Sequence, residues 1–501
     1  MLINDINVLR NYIDENIRNT AISGIPYLDL NGNKTTILAK QNTVVFGRRG
    51  SGKSTLLAEI KKEKKYVIDI NLENYKNISF PNVIIKVLEQ IIKSIQNQLL
   101  GDKFYLFKSK KRKLNKDFKR ILESLKELFE EDDSYESDIE KRTQEEIESG
   151  GNADIKTTAG NSGLYTKIKG IEENKIQRKK QFLKLEKLRK NLVDYKNLFD
   201  TSSKIIYNDE PIYILLDDFY FIDIDNQPYL IDILHVLTKG NQFFLKIASR
   251  KQKSKLYISD GSTFQGIEIG HDATEVDLDY SLENMDNLIK FFKLLLNSIF
   301  QKIKINIQLD QIITDDAFNQ LCIASGGVTR DFLTILSKCL SYLFVESNDE
   351  CNNRITKENV NAQAISNLSS KIQSLTTDKD NKNNRVELCL DYIKDEILTK
   401  KRTNCFLISK SDLESFPQEK NIIQLLFDLR FIHLIEKSTS CAPSDKKMYE
   451  AYILDVGLYT FVRLRDFKQI EPNSFDKRSR RDDMRSSPKI NLSDLTQFCS
   501  L

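Results

Sequence analysis

The hydrophobic pattern divides the chain into a β/α region and a helical region. Thr43-Val44-Val45-Phe46 is a short unbroken apolar run, and Tyr66-Val67-Ile68-Asp69-Ile70 is a second. Ile212-Tyr213-Ile214-Leu215-Leu216 and Phe243-Phe244-Leu245-Lys246-Ile247-Ala248-Ser249 repeat the type. Continuous apolar strands separated by helical patterns predict a parallel sheet covered on both faces, hence an α/β fold. Pro81 is suited to the first turn of a helix whose one face carries Val83, Ile84, Val87, Leu88, Ile91 and Ile95. After Asp279 the pattern becomes helical, over 284–304, 314–324, 328–346 and 356–373. Residues 381–466 then read as helix, short strand, two helices and a β-ribbon (431–436 and 448–454), the order of a winged helix.

Two stretches break this pattern. Residues 103–200 run from strongly basic (KSKKRKLNKDFKR) through acidic (ESLKELFEEDDSYESDIE) to a small-residue stretch, before Leu185, Leu188, Leu192 and Tyr195 resume a helical spacing. They read as a charged helical insertion with a flexible middle, a solvated arm in preference to a dedicated binding surface. The segment 467–501 is polar and basic, and is expected to be poorly ordered. The predicted organisation is therefore an N-terminal helix and extended segment (1–40), a core (41–102 and 201–280), the insertion (103–200), a helical lid (281–375), a winged helix (381–466) and a tail (467–501).

The chemistry concentrates after the first strand. Gly47-Arg48-Arg49-Gly50-Ser51-Gly52-Lys53-Ser54-Thr55 matches G-x-x-x-x-G-K-[ST], with a β-run before it and a helical pattern after it. Glycines let backbone N–H groups curl around a phosphate more closely than a loop bearing Cβ atoms allows. Lys53 is placed to reach the β- and γ-phosphates, Ser54 to ligate Mg²⁺, and the following helix offers its N-terminus to the anion. Asp217, at the end of its apolar run, is the expected second holder of the metal. Asp218 stands where many ATPases carry a water-polarising Glu, and its shorter reach predicts slow hydrolysis. Without the loop upstream the acid pair would read as a solvated strand end.

Composition narrows the classes. Hydrophobic residues make up 40% and charged residues 30% of the 501, the balance of a globular protein. No apolar run approaches the roughly 20 residues that span a bilayer, and the N-terminus lacks a signal-peptide pattern, so a cytoplasmic location and no membrane partner are expected. The formal net charge of +4 is too near neutral to announce a nucleic-acid binder. Seven Cys without a CxxC and three His leave little for a zinc site, and reduced, mostly buried thiols are expected.

Taken together, these motifs resemble the AAA+/STAND group of P-loop ATPases, and most closely its origin-recognition-like members. The resemblance covers roughly 40–75 and 205–465, as a P-loop NTPase parallel sheet with a helical lid and a C-terminal winged helix. Gly47–Thr55 looks like Walker A, Leu215–Asp218 like Walker B and Phe243–Arg250 like the sensor 1 strand. Ser325-Gly326-Gly327-Val328-Thr329-Arg330 is similar to the start of the sensor 2 helix, which carries Arg330 over to the γ-phosphate. The resemblance implies ATP and Mg²⁺ as ligands, with Asp218, Arg250 and Arg330 in the catalytic machinery. It also implies self-association, a protein partner, and roles such as bacterial defence or regulated loading. Arg250 fits a contact to the γ-phosphate in cis or to a neighbour's nucleotide in trans, or a surface position in the basic loop RKQKSK. Two functions compete: a nucleotide-operated switch that assembles with a partner, and a DNA-binding loader that grips duplex with the winged helix and basic tail. The apolar character of 419–430 weighs against the second, and a small-molecule kinase is disfavoured by the lid and the winged helix.

Overall fold

The computed structural model describes residues 2–17, 24–101, 109–149, 183–259, 264–346, 354–377, 383–460, 465–472 and 477–498. Five strands form one parallel sheet: β1 (Thr43–Phe46), β2 (Tyr66–Asn71), β3 (Ile212–Asp217), β4 (Phe243–Ser249) and β7 (Thr274–Asp277). Their spatial order is β2-β3-β4-β1-β7, which puts β1 between two parallel neighbours. Strands β5 (Tyr257–Ser259) and β6 (Phe264–Gly266) pair separately as an antiparallel hairpin.

Alternation along the strands feeds two cores. Val44, Phe46, Ile68, Ile70, Ile214 and Leu216 pack with the helix Asn82–Leu100 on one face. Val45, Tyr213, Leu215 and Ala248 pack with Leu56, Leu57 and Ile60 of the helix Lys53–Glu63 on the other. The predicted face of 82–100 is buried, together with Ile85, Ile92 and Leu99. Lys246 interrupts the apolar run of β4. Its Nζ donates to the carbonyls of Ala39 (2.9 Å) and Gln41 (2.7 Å) and to Thr43 Oγ1 (3.0 Å), pinning the approach to β1.

Two sequence expectations change here. The first half of the insertion is not a solvated arm. Within the helix Ser109–Ser149, Leu114, Phe118, Ile121, Leu125 and Leu128 are buried in the same core as the helix Asn82–Leu100, with Leu185, Leu188 and Tyr195 beside them. Their spacing of three and four builds an apolar stripe that the surrounding charges hide from a composition reading. From residue 150 on, the small-residue stretch read as flexible, and the helix expected to resume at Glu172 up to residue 182, lie outside the described residues. Likewise, 477–498 is not a disordered tail. It forms the helix Lys477–Arg485, a short strand β11 (Lys489–Ile490) and the helix Leu492–Phe498, with Ile490, Leu492 and Leu495 buried.

The helices Met285–Ile303, Asp315–Ser325, Thr329–Glu346 and Lys357–Thr377, where the sequence predicts a lid, share one core with the N-terminal helix Leu2–Ile17, through Ile6, Leu9 and Ile13. The C-terminal unit carries a four-stranded sheet in which β8 (Cys405–Ser409), β10 (Met448–Leu454) and β9 (Ile432–Ser440) are antiparallel neighbours and β11 adds parallel to β8. A buried ionic cluster joins this unit to the lid. Arg430 Nη1 lies 2.7 Å from Asp331, and Asp455 is 2.6 Å from Lys371 and 3.1 Å from His433. Cys322, Cys339, Cys405 and Cys441 are buried free thiols, but Cys389 is disulfide-bonded, contrary to the expectation of uniformly reduced cysteines. No described helix is long and apolar enough to cross a membrane.

Candidate functional site

The sheet order and the position of the glycine loop define the site. All of β1 is buried, so the chain leaves the sheet at a fixed point and turns into the loop Gly47–Gly52. Gly50 and Gly52 have φ of +89° and +100°, the left-handed region that a side chain would strain. The helix Lys53–Glu63 starts immediately after, with no side-chain cap on its first N–H groups. This strand, loop and helix on a 2-3-4-1-7 parallel sheet are a P-loop NTPase fold.

Behind the loop, burial does electrostatic work. Lys53 is 6% exposed, and its Nζ donates to the carbonyls of Gly47 (2.8 Å) and Arg48 (3.1 Å). Burial, and then the charge of Arg250, bring its pKa down to about 8. Ser54 hydrogen-bonds Asp217, whose Oδ1 also accepts the Asp218 N–H at 2.9 Å. Desolvation and the neighbouring Asp218 raise the Asp217 carboxyl above the usual range. Asn71 of β2 lies opposite Asp217 of β3, and the chain then turns at Asp218 with φ +55°.

A cleft runs from this loop beneath the lid. Arg49, Gly50, Gly52, Lys53, Ser54 and Thr55 line it from the loop, and Asp218, Tyr220 and Phe221 from the end of β3. Thr329, Arg330 and Leu333 close it from the lid, and Asn16, Ile17 and Ile25 from the N-terminal segment. The lid meets the loop directly, because the Arg330 N–H donates to the Gly50 carbonyl at 3.3 Å. Burial, then the like charge of Arg49, lower the Arg330 pKa. Three cations, Lys53, Arg49 and Arg330, therefore converge on one cleft beside a Ser–Asp pair. That arrangement suits a polyanion with a divalent cation.

Five sequence-predicted residues, Gly47, Arg48, Ser51, Asp217 and Arg250, do not line this cleft, though Asp217 reaches it through Ser54. Arg48, expected at the phosphates, turns its side chain away. It is 1% exposed, reaches Asp279, Tyr280 and Gly326, and does not line the cleft. Arg250, expected against the γ-phosphate, does not line the cleft either. Its guanidinium stacks on the Tyr220 ring, 4.1 Å from the centroid, one layer behind the wall. Arg250 is 8% exposed, with Asp428 and Tyr220 beside it, so a solvated loop Arg is not what stands there. Ser51 lines a smaller adjoining pocket with Tyr27, Leu28 and Tyr280.

Sequence reasoning missed Glu73, Tyr220, Phe221, Asn16, Ile17 and Ile25. Glu73 lies in the short turn Leu72–Tyr75 after β2, where the Asn71 side chain accepts its N–H at 2.8 Å, and being the first acid past a sheet strand was its one available signal. The N-terminal residues carry no motif; only folding brings them under the lid.

No protein-family model matches the chain, and no curated protein matches it. Among solved structures, the Walker-type ATPase PABY2304 of Pyrococcus abyssi is similar over 86% of this chain and 94% of that chain, with 12% identity and a TM-score of 0.38. The P-loop fold assignment rests on this chain's own sheet order and glycine loop.

Proposed function

We propose that the chain is an ATP-binding switch that hydrolyses ATP slowly and couples its nucleotide state to assembly with a partner. The observation that carries the reading is the convergence of Lys53, Arg49 and Arg330 on the glycine loop, next to Ser54 and Asp217. Main-chain N–H groups of the loop and the helix N-terminus would hold the β-phosphate. Lys53 would leave the Gly47 and Arg48 carbonyls for the β/γ-oxygens. Ser54 and Asp217 would hold Mg²⁺, which neutralises charge on the phosphates as the terminal bond breaks. Asp218 faces the cleft and would orient the attacking water. Ile17, Ile25 and Leu333 would supply the apolar walls for the base.

Two features support switching over plain catalysis. Arg330 touches the loop through its backbone and the cleft through its side chain, so the lid and the phosphates share one contact region. Behind it, Asp331 binds Arg430 of the C-terminal unit, which extends the same path outward. Ligand contacts that differ between two lid positions shift the population of those positions. Self-association and a protein partner belong to this reading, and so does a role in bacterial defence.

The alternative, a DNA-binding loader acting through a winged helix, is favoured by the helix order of 383–454 and by Lys477–Arg485. The helix Pro417–Asp428 weighs against it. Glu419 and Asp428 on that helix are buried, and its end faces the core and not solvent. The test is turnover and binding in parallel: MgATP affinity and phosphate release for wild type, Lys53→Ala and Asp218→Asn, with and without duplex DNA. The switch reading expects DNA-independent ATP binding and low turnover. Absence of ATP binding removes both readings, and a large stimulation by DNA favours the loader.

A further inference from the structure

We infer that Arg48 couples the phosphate loop to the C-terminal helix Pro417–Asp428, so that the seating of Phe427 sets nucleotide affinity. The inference rests on nucleotide binding at the loop and adds to it the residue through which a distant unit regulates that site.

The main chain of Arg48 belongs to the loop. Its N–H donates to Asp279 Oδ1 at 2.9 Å, and its carbonyl accepts from the Ser51 N–H and from Lys53 Nζ, both at 3.1 Å. Its side chain belongs to three other parts of the molecule. Nε lies 3.3 Å from Asp279, past the end of β7. Nη2 donates to the carbonyl of Tyr280 at 3.0 Å and to that of Gly326, in the lid turn, at 2.8 Å. The guanidinium carbon sits 4.7 Å from the centroid of the Phe427 ring. At 1% exposure this cation has no water to fall back on, so its position follows its partners.

The surrounding residues are shaped for this contact. Gly326 has φ +56°, and a Cβ there would lie 2.2 Å from the His433 ring. A glycine lets the lid turn fit between His433 on one side and Arg48 on the other. Asp428, next to Phe427, is buried within reach of Arg250, Arg48 and Lys253 as well as of Asp279, so the helix end enters the same charged cluster that holds the Arg48 side chain. Seated in this way, Phe427 holds Arg48, and Arg48 holds the carbonyl and amide geometry of the loop. When a phosphate draws Lys53 away from the Arg48 carbonyl, the loop keeps its shape through the guanidinium contacts. Loosening Phe427 therefore costs the site preorganisation.

A double-mutant cycle on the full chain tests this, with affinity for a fluorescent, non-hydrolysable ATP analogue plus Mg²⁺ as the readout. We expect Arg48→Met and Phe427→Ala each to weaken binding about tenfold, Phe427→Leu about threefold, and the doubles no more than Arg48→Met alone. Phe427→Leu keeps most of the buried volume, so it reports even where Phe427→Ala lowers the yield of folded protein. Affinity unchanged or tightened in both Phe427 variants, or a double that multiplies the two single losses, overturns the coupling. Wild type that binds no analogue removes the nucleotide reading itself, whereas normal wild-type binding with indifferent Phe427 variants removes the coupling alone.

Discussion

Lys53 shows how burial and function oppose each other in one side chain. Its pKa is lowered from 10.5 to about 8 because the ammonium is desolvated and lies near Arg250. Between those values the unfolded chain binds more protons than the folded one, so stability rises with pH across that window. Binding has the opposite sign. A triphosphate favours the ammonium, so above about pH 8 binding must take up a proton, and affinity should fall as pH rises through that value. Calorimetry at pH 8.5 in buffers of different ionisation enthalpy measures the uptake directly; none is expected for Lys53→Arg. Lys53→Ala should lower MgATP affinity by about 100-fold or more, since it removes the one ammonium buried directly behind the loop. Asp218→Asn should bind ATP as wild type does and lose most of its turnover, read by single-turnover phosphate release. Unchanged turnover would remove Asp218 from the catalytic role and turn attention to Glu73, the other acid of the cleft wall.

At the scale of elements, the sequence was most legible where one physical cause acts locally. The strand Thr43–Phe46, the loop after it and the helix Lys53–Glu63 each follow from neighbouring residues, and all appear as read. Ile212–Asp217 and Phe243–Ser249 were readable for the same reason. Arg48 was not readable. Loop position placed it at the phosphates, but its partners Asp279, Gly326 and Phe427 lie more than two hundred positions away, and no local pattern reports them. The buried stripe Leu114–Leu128 was masked by its charged neighbours, and the C-terminal segment by its net basicity. The lid turn offers a direct check on the long-range part. Gly326→Ala adds a Cβ into the His433 ring at a left-handed φ, and should destabilise the protein by about 2 kcal/mol or more in denaturant titration. A loss below about 0.5 kcal/mol would mean that the lid turn and β9 do not meet as described.

Across the whole molecule, the sheet, the lid and the C-terminal unit meet around the loop and its neighbours. Arg330 bonds the loop, Asp331 binds Arg430, and Arg48 reaches Phe427. A ligand seated at the loop therefore bears on two contacts to the same distal unit. On the switch reading, saturating MgATP should change the rate at which protease cuts the C-terminal unit by about tenfold. Lys53→Ala should show no change under the same conditions. Binding to duplex DNA over a salt series separates the loader, for which affinity should fall steeply with salt.

The account depends on a triphosphate seated in the glycine loop. A structure of the protein with Mg²⁺ and a non-hydrolysable ATP analogue at saturation tests it most directly. The predicted result is density for the β- and γ-phosphates within hydrogen-bond reach of the Gly50–Ser54 amides and Lys53 Nζ, with Mg²⁺ at Ser54. A loop without ligand density, and Lys53 still bonded to the Gly47 and Arg48 carbonyls, would contradict it.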